Sequence, residues 1–307
     1  MTVSFRPLHP LFCAEVTRDG KPLDLRQVHD QETLTELRDG MDKYGVLVFP
    51  QQPFTNAEQL AFAQRWDGAL HAKLGSNVVD KKTRLGSPAL GDTSNLGMDG
   101  KIRSREDRHR LYSLANRLWH TDASFRVPAG RYSLLSARII PKVRADTEFA
   151  DMYAAYDALD AATKQQIDKL QAHHSIAYSR QTLGFTFSEP ELDNLRGAVQ
   201  PLVRTNPRTG RKSLYIASHA NSIIDWPLPE ARLLLLDLMT HATQPQFCYS
   251  HDWRDGDMVV WDNLATMHRG RPYDDINHKR ELVRVTTLDA DHVPGSEAKV
   301  LDDLALV

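Results

Sequence analysis

The stretch Tyr132-Ser-Leu-Leu-Ser-Ala-Arg-Ile-Ile140, stopped by Pro141, decides the fold class, because it is β-prone throughout and proline cannot donate to a sheet ladder. Similar short runs follow at Lys212 to Ile216, Gln246 to Tyr249, Met258 to Trp261 and Leu282 to Leu288. Upstream, Val46-Leu-Val-Phe49-Pro50 forms another, after a helix marked by Leu34, Leu37, Met41 and Tyr44 and ended by Gly45. Thr55 with Glu58 reads as a capping box opening a second helix. Helical spacing also marks Tyr153 to Leu159, Ala161 to His173 and Glu230 to Ala242, where the run Leu233 to Leu236 is expected to pack deeply. Residues 74–112, including the charge run Lys101-Ile-Arg-Ser-Arg-Glu-Asp-Arg-His-Arg110, lack a regular pattern and read as a long mobile loop, either solvated surface or a lid. No linker or repeat divides the chain. The reading is one domain over 1–307, mainly β with α: a β-sandwich or barrel flanked by helices.

Charge narrows the partners. The formal net charge is -2, from 38 basic and 40 acidic residues, so no long-range field favours nucleic acid or a membrane surface, and a small molecule is the expected partner. Cys13 and Cys248 are far apart and in no metal-ligand spacing, which points to a reducing cytoplasm rather than a disulfide framework. Neither a signal peptide nor an apolar run long enough to span a bilayer is visible.

The segment Asn116-Arg-Leu-Trp-His120-Thr-Asp122 sets a His and an Asp two apart, so on an extended strand both would project from one face. A third ligand must come from elsewhere, and His268 lies just past the Met258 to Trp261 run. Two imidazoles and a carboxylate make the facial triad of non-haem iron(II) oxygenases, which leaves coordination positions open. On spacing alone each of the 13 histidines reads equally well as a surface or hydrogen-bonded residue.

Leu118-Trp-His120-Thr-Asp122-Ala-Ser-Phe125 and Val260-Trp-Asp-Asn-Leu-Ala-Thr-Met-His268-Arg-Gly resemble the taurine/2,4-dichlorophenoxyacetate (TauD/TfdA-like) dioxygenase family, and the 2,4-dichlorophenoxyacetate branch within it. The likeness extends from Pro7-Leu-His-Pro-Leu-Phe12 through Asp146-Thr-Glu-Phe-Ala-Asp-Met152 to Arg284-Val-Thr-Thr-Leu288. It implies a double-stranded β-helix, a cupin-like jelly roll, with iron(II) held by His120, Asp122 and His268, 2-oxoglutarate as cosubstrate and O2 as oxidant. A dicarboxylate buried beside iron needs a cation at its far end, and Arg280 and Arg284, four apart, fall on one face of a strand. The resemblance gives the remote carboxylate to Arg280 and Thr147, and the acid group of the prime substrate to Arg284. It adds Lys73, His219 and Asn116 as substrate contacts, and no catalytic side chain beyond the metal centre. The chain departs from the family at Arg144-Ala145, where a glycine pair is common, and at Asn206, where relatives often place His.

The implied reaction hydroxylates a small anionic substrate, an aryloxyalkanoate such as 2,4-dichlorophenoxyacetate, while 2-oxoglutarate becomes succinate and CO2. The hydroxylated carbon then bears an ether oxygen, and the product falls apart to a phenol and glyoxylate. Ala115 stands where the taurine enzymes carry an acid for the substrate amine, which disfavours an aminosulfonate. One alternative is a dioxygenase of a natural aromatic carboxylate or sulfonate. Another, from a different class, is a non-catalytic metal-binding cupin. By the same resemblance the protein is a homo-oligomer.

Overall fold

The computed structural model describes residues 3–71 and 83–289. In chain order the elements are β1 (Val3–Pro7), β2 (Ala14–Arg18), β3 (Lys21–Pro22), α1 (Gln31–Tyr44), β4 (Val46–Phe49), α2 (Asn56–Asp67), β5 (Gly91–Ser94), α3 (Arg108–Ser113), β6 (Gly130–Ile139) and β7 (Thr147–Asp151). They continue with α4 (Met152–Asp157), α5 (Ala161–Ile167), β8 (Gln171–His174), α6 (Ile176–Gln181), α7 (Glu189–Asp193), β9 (Ala198–Pro201), β10 (Val203–Thr205) and β11 (Lys212–Leu214). The last part holds β12 (Ala220–Ile223), α8 (Leu228–Ala242), β13 (Cys248–His251), β14 (Met258–Asp262), β15 (Thr266–Gly270) and β16 (Glu281–Leu288).

Local signals set the first elements. Asp30 accepts from the Thr33 amide to start α1, and Gly45, at φ +66°, ends it with its N–H on the Met41 carbonyl. Leu34, Leu37 and Met41 then form one buried stripe, at roughly 2 kcal/mol of burial each. The Thr55–Glu58 capping box opens α2. The main sheet runs β1-β2-β4-β14-β6-β16-β5, with β3 on β2, and its centre is buried on both faces. Leu47, Phe49, Leu134, Met258 and Val260 pack with Leu34, Leu37, Phe62 and Trp66 of the helices. Val46, Val48, Leu135, Val259 and Trp261 point the other way, onto Phe149 and Trp253. That two-sided burial explains why β4 and β14 read as unbroken apolar runs rather than alternating ones.

Phe149 belongs to a second sheet, β13-β7-β15, whose outer residues Ala150 and Met267 pack with Leu235 and Leu238 of α8. The two facing sheets are the jelly roll the sequence implies, and alternation along β15 turns Met267 outward and His268 inward. Two smaller sheets, β12-β8-β9 and β10-β11, extend the outer side.

Three expectations change. The helix expected over Ala161 to His173 ends at Ile167, and Gln171–His174 is strand β8, because pairing with β9 on one side and β12 on the other outweighs local helical spacing. Of the run Leu233 to Leu236 only Leu235 is buried, while Leu233 is 62% and Leu236 60% exposed. Consecutive helical residues step 100° round the axis, so four in a row cannot share one face. The expected loop is built structure over residues 83–112: β5 pairs with β16 at the sheet edge, and α3 follows. Its charges are pinned as well, Arg84 to Asp92 and Glu281, Arg108 to Glu191 and Arg110 to Asp275. Residues 74–82 of that segment lie outside the described residues.

Candidate active site

His120 and His268 are antiparallel bridge partners that exchange both backbone bonds, His120 N–H to His268 O at 3.0 Å and His268 N–H to His120 O at 2.8 Å. Their ring centroids lie 4.2 Å apart. His120 Nδ1 donates to the Leu118 carbonyl at 2.8 Å, which leaves Nε2 as its free lone pair. Asp122 sits two residues beyond the bridge, in a turn rather than on the extended strand the spacing predicts. The turn closes through Ala123 at φ +56° and still delivers the carboxylate, with Oδ2 3.7 Å from His268 Nε2. Ligand atoms of the three buried side chains all lie within 4.8 Å of one another.

Three residues that the sequence did not single out hold this turn. Asn263 Oδ1 accepts from the Asp122 amide at 3.0 Å and from Trp261 Nε1 at 3.0 Å, while its Nδ2 donates to Ser133 Oγ at 3.0 Å. Ser133 Oγ in turn donates to Asp122 Oδ2 at 2.7 Å. Gly130 underlies the turn: a Cβ there would lie 2.8 Å from the Asp122 carbonyl oxygen.

Electrostatics leave the donors ready for a cation. Burial alone would raise the Asp122 carboxyl, yet the Arg284 guanidinium, the two imidazoles and the Ser133 hydroxyl together outweigh it and hold it at about 2. Burial lowers His120 to about 4 and His268 well below its usual value, so both imidazoles are neutral at pH 7 with lone pairs free. Two neutral nitrogens and one carboxylate oxygen fit a divalent transition metal of the non-haem iron type.

Arg280 and Thr147 also come together. The Arg280 Nη2 donates to the Ala145 carbonyl at 3.2 Å and lies 3.5 Å from Thr147 Oγ1, which also accepts from Trp253 Nε1 at 3.0 Å. Burial lowers the Arg280 pKa to about 10, and among the described residues it forms no ion pair. The segment at Arg144-Ala145 reaches this geometry without positive φ at either residue, so it does not need the family's glycines.

Arg284, whose Cα pairs with Gly91 and Leu135 in the main sheet, donates through Nη1 to Asp122 Oδ1. His219 is buried with its ring 5.9 Å from that of His120 and its Nδ1 3.0 Å from Ser179 Oγ. Asn116, in the turn Leu114–Arg117, accepts from Arg180 Nη2 at 3.1 Å. Lys73 lies outside the described residues. Asn206 is remote in role: it donates to Asp42 and Tyr153 and caps its own loop through the amides of Arg208 and Thr209.

The family model for "Taurine catabolism dioxygenase TauD, TfdA family" matches residues 4–286. The chain belongs to this family. The alpha-ketoglutarate-dependent 2,4-dichlorophenoxyacetate dioxygenase of Cupriavidus pinatubonensis is 43% identical over 290 residues, 94% of this chain and 99% of that protein. The (S)-phenoxypropionate/alpha-ketoglutarate-dioxygenase of Sphingobium herbicidovorans is 35% identical over 277 residues, 87% of this chain and 89% of that one. A solved structure, AAD-2 in complex with Mn(II) and N-oxalylglycine, superposes with a TM-score of 0.88 at 45% identity, covering 94% of this chain and 98% of that chain. Alpha-ketoglutarate is 2-oxoglutarate, and this member of the TauD/TfdA family is likewise a 2-oxoglutarate-dependent dioxygenase. No described helix is long and apolar enough to cross a membrane.

Proposed function

We propose that the protein hydroxylates an aryloxyalkanoate such as 2,4-dichlorophenoxyacetate, with His120, Asp122 and His268 holding iron(II) and Arg280 with Thr147 holding 2-oxoglutarate. The observation that carries the cosubstrate assignment is a buried Arg280 with no carboxylate partner among the described residues, a costly arrangement unless an anion joins it. The substrate class rests on relatives that act on 2,4-dichlorophenoxyacetate and phenoxypropionate, each matched over most of its length.

When bound, iron(II) with 2-oxoglutarate and O2 supplies the oxidation, converting the cosubstrate to succinate and CO2 while a substrate C–H becomes C–OH. The chain's own work is positioning. Arg280 offers a fixed fork to the remote carboxylate and Thr147 its hydroxyl. Arg284 presents a second cation to the acid group of the prime substrate, while His219 and Asn116 border that end of the site. On an aryloxyacetate the hydroxylated carbon is a hemiacetal, which collapses to a phenol and glyoxylate without an enzymatic base. The test is succinate release across aryloxyalkanoates, cinnamates and sulfonates. Release with sulfonates alone would overturn the substrate, and absence of a visible charge-transfer band on anaerobic mixing with iron(II) and 2-oxoglutarate would overturn the metal assignment.

We propose further that the chain acts as one domain, as a homo-oligomer and in a reducing cytoplasm. Its two cysteines are free, and Leu233 and Leu236 are exposed on α8 between Arg232 and Asp237. A two-fold axis between the leucines would set Arg232 of one copy against Asp237 of the other. Leu233→Glu should then lower the mass seen by light scattering, and an unchanged mass would remove α8 as the contact.

A further inference from the structure

Arg180 lies on α6 and stands in no sequence motif. The residue is 5% exposed, with Nη1 donating to Ser179 Oγ at 2.9 Å and Nη2 to Asn116 Oδ1 at 3.1 Å, and its guanidinium lies over the Tyr112 ring at 4.7 Å from the centroid. Its Nε has no partner, and no described carboxylate lies within 4 Å of it. Two other buried arginines differ, Arg131 pairing with Asp262 at 3.1 Å and Arg204 with Asp289 at 2.6 Å, and only Arg280 shares the lack of a carboxylate among the described residues. A buried guanidinium held only by neutral acceptors retains most of its desolvation cost, which an anion would offset.

The surroundings say where that anion sits. Ser179 Oγ links Arg180 to His219 Nδ1 at 3.0 Å, and the His219 ring lies 5.9 Å from that of His120. Phe125 closes the same side, its ring edge-on to His219 at 5.1 Å. Through Ser179 and His219 the Arg180 fork is thus joined to the His120 side of the pocket. In an aryloxyalkanoate the carbon to be hydroxylated carries the carboxylate directly, so the group that reads the acid must stand close to the metal ligands. Arg280 is taken up by the cosubstrate end and Arg284 Nη1 by Asp122.

We propose that Arg180 is a specificity residue that pairs, together with Arg284, with the carboxylate of the prime substrate, with Asn116 and Ser179 as positioning residues that aim its fork. The carboxylate then bridges two guanidiniums that would otherwise repel each other. This rests on the aryloxyalkanoate reading above, and it shifts the substrate role of Asn116 from contact to support.

The test is calorimetric binding of phenoxyacetate and of its neutral amide to protein loaded with Mn(II) and 2-oxoglutarate, for wild type, Arg180→Gln, Arg180→Lys and Asn116→Ala. Wild type should prefer the acid. Arg180→Gln should lose about a hundredfold in acid affinity while amide and 2-oxoglutarate affinities stay within a few fold. Arg180→Lys, which keeps the charge without the fork, and Asn116→Ala, which frees the fork, should each lose about tenfold. These two keep the question open to refutation should Arg180→Gln melt early. No acid preference in wild type, or one that survives in the variants, overturns the role of Arg180. Succinate release by wild type scores the proposed reaction separately: acid binding that depends on Arg180 without turnover would sink the reaction and leave Arg180 as an anion reader.

Discussion

Replacing Asn263 by alanine should weaken metal binding without touching a ligand. Its amide is the hub of the Asp122 turn, accepting from the Asp122 amide and Trp261 Nε1 and donating to Ser133 Oγ, all at 3.0 Å. Alanine leaves two buried N–H groups without an acceptor and a serine without its donor. An orphaned buried group costs about 1–3 kcal/mol, so the two N–H groups set an expected loss of stability of about 2–6 kcal/mol. The Asp122 carboxylate, no longer fixed from its own backbone, should bind metal about 10–100-fold more weakly, the usual scale for an outer support of a ligand. Thermal melts of the metal-free protein and competitive titration of iron(II) or cobalt(II) against a chelator measure the two effects. Asn263→Asp is the control, since it keeps both acceptor contacts but cannot donate to Ser133 and adds a charge beside Asp122. Metal affinity within threefold of wild type in Asn263→Ala, with the stability loss present, would show that the turn holds Asp122 without this hub.

Gly130→Ala should act on the same turn from below, because its Cβ would meet the Asp122 carbonyl at 2.8 Å; a melt and a metal titration should both fall, and an unchanged titration would count against the close approach. His268→Ala should remove stoichiometric iron(II) binding and turnover while far-ultraviolet circular dichroism stays native; retained binding would move the third ligand elsewhere. Arg280→Ala should raise the 2-oxoglutarate requirement about a hundredfold or more with little change for the prime substrate, read from succinate kinetics; the reverse pattern would exchange its role with that of Arg284. For pH, burial lifts the Asp151 carboxyl to about 6 although the Tyr153 and Ala154 amides bond its charged form. A folded pKa above the unfolded one gives stability that is full below about pH 4 and is lost as pH rises through about 6. Asp151→Asn keeps the helix cap and removes the titration, so it should gain up to about 3 kcal/mol at pH 7 and flatten the denaturation midpoint between pH 4 and 7. An unchanged slope would assign that pH dependence to another group.

The sequence is legible where one local rule acts alone. The α1 stripe, its Gly45 stop and the Thr55–Glu58 box lie at their expected residues because caps and periodicity there face no competitor. The rule fails where partners distant in sequence decide, as at Gln171–His174, drawn into a ladder between β9 and β12. It fails again at Leu233 and Leu236, whose hydrophobicity says nothing about which neighbour is in reach. At the site, His120, Asp122, His268, Thr147 and Arg280 stand in motifs; the first three cluster, though Asp122 does so from a turn, and Arg280 reaches Thr147. Asn263, Ser133, Gly130 and Arg180 carry no pattern of their own. An asparagine within Trp261-Asp-Asn-Leu-Ala is ordinary in sequence, and only the approach of the Asp122 turn across 141 positions gives its amide three partners. A lone arginine in α6 is equally mute until its burial without a carboxylate is seen.

The reciprocal bridge between His120 and His268 also fixes an order of events during synthesis. His120 and Asp122 leave the ribosome roughly 150 residues before His268, a delay of roughly 7–30 s at about 5–20 residues per second. Throughout that interval the nascent chain carries only two of the three clustered donors. The strand bearing His268 joins only when β15 pairs with β7, so the three-donor cluster is complete only at that late closure.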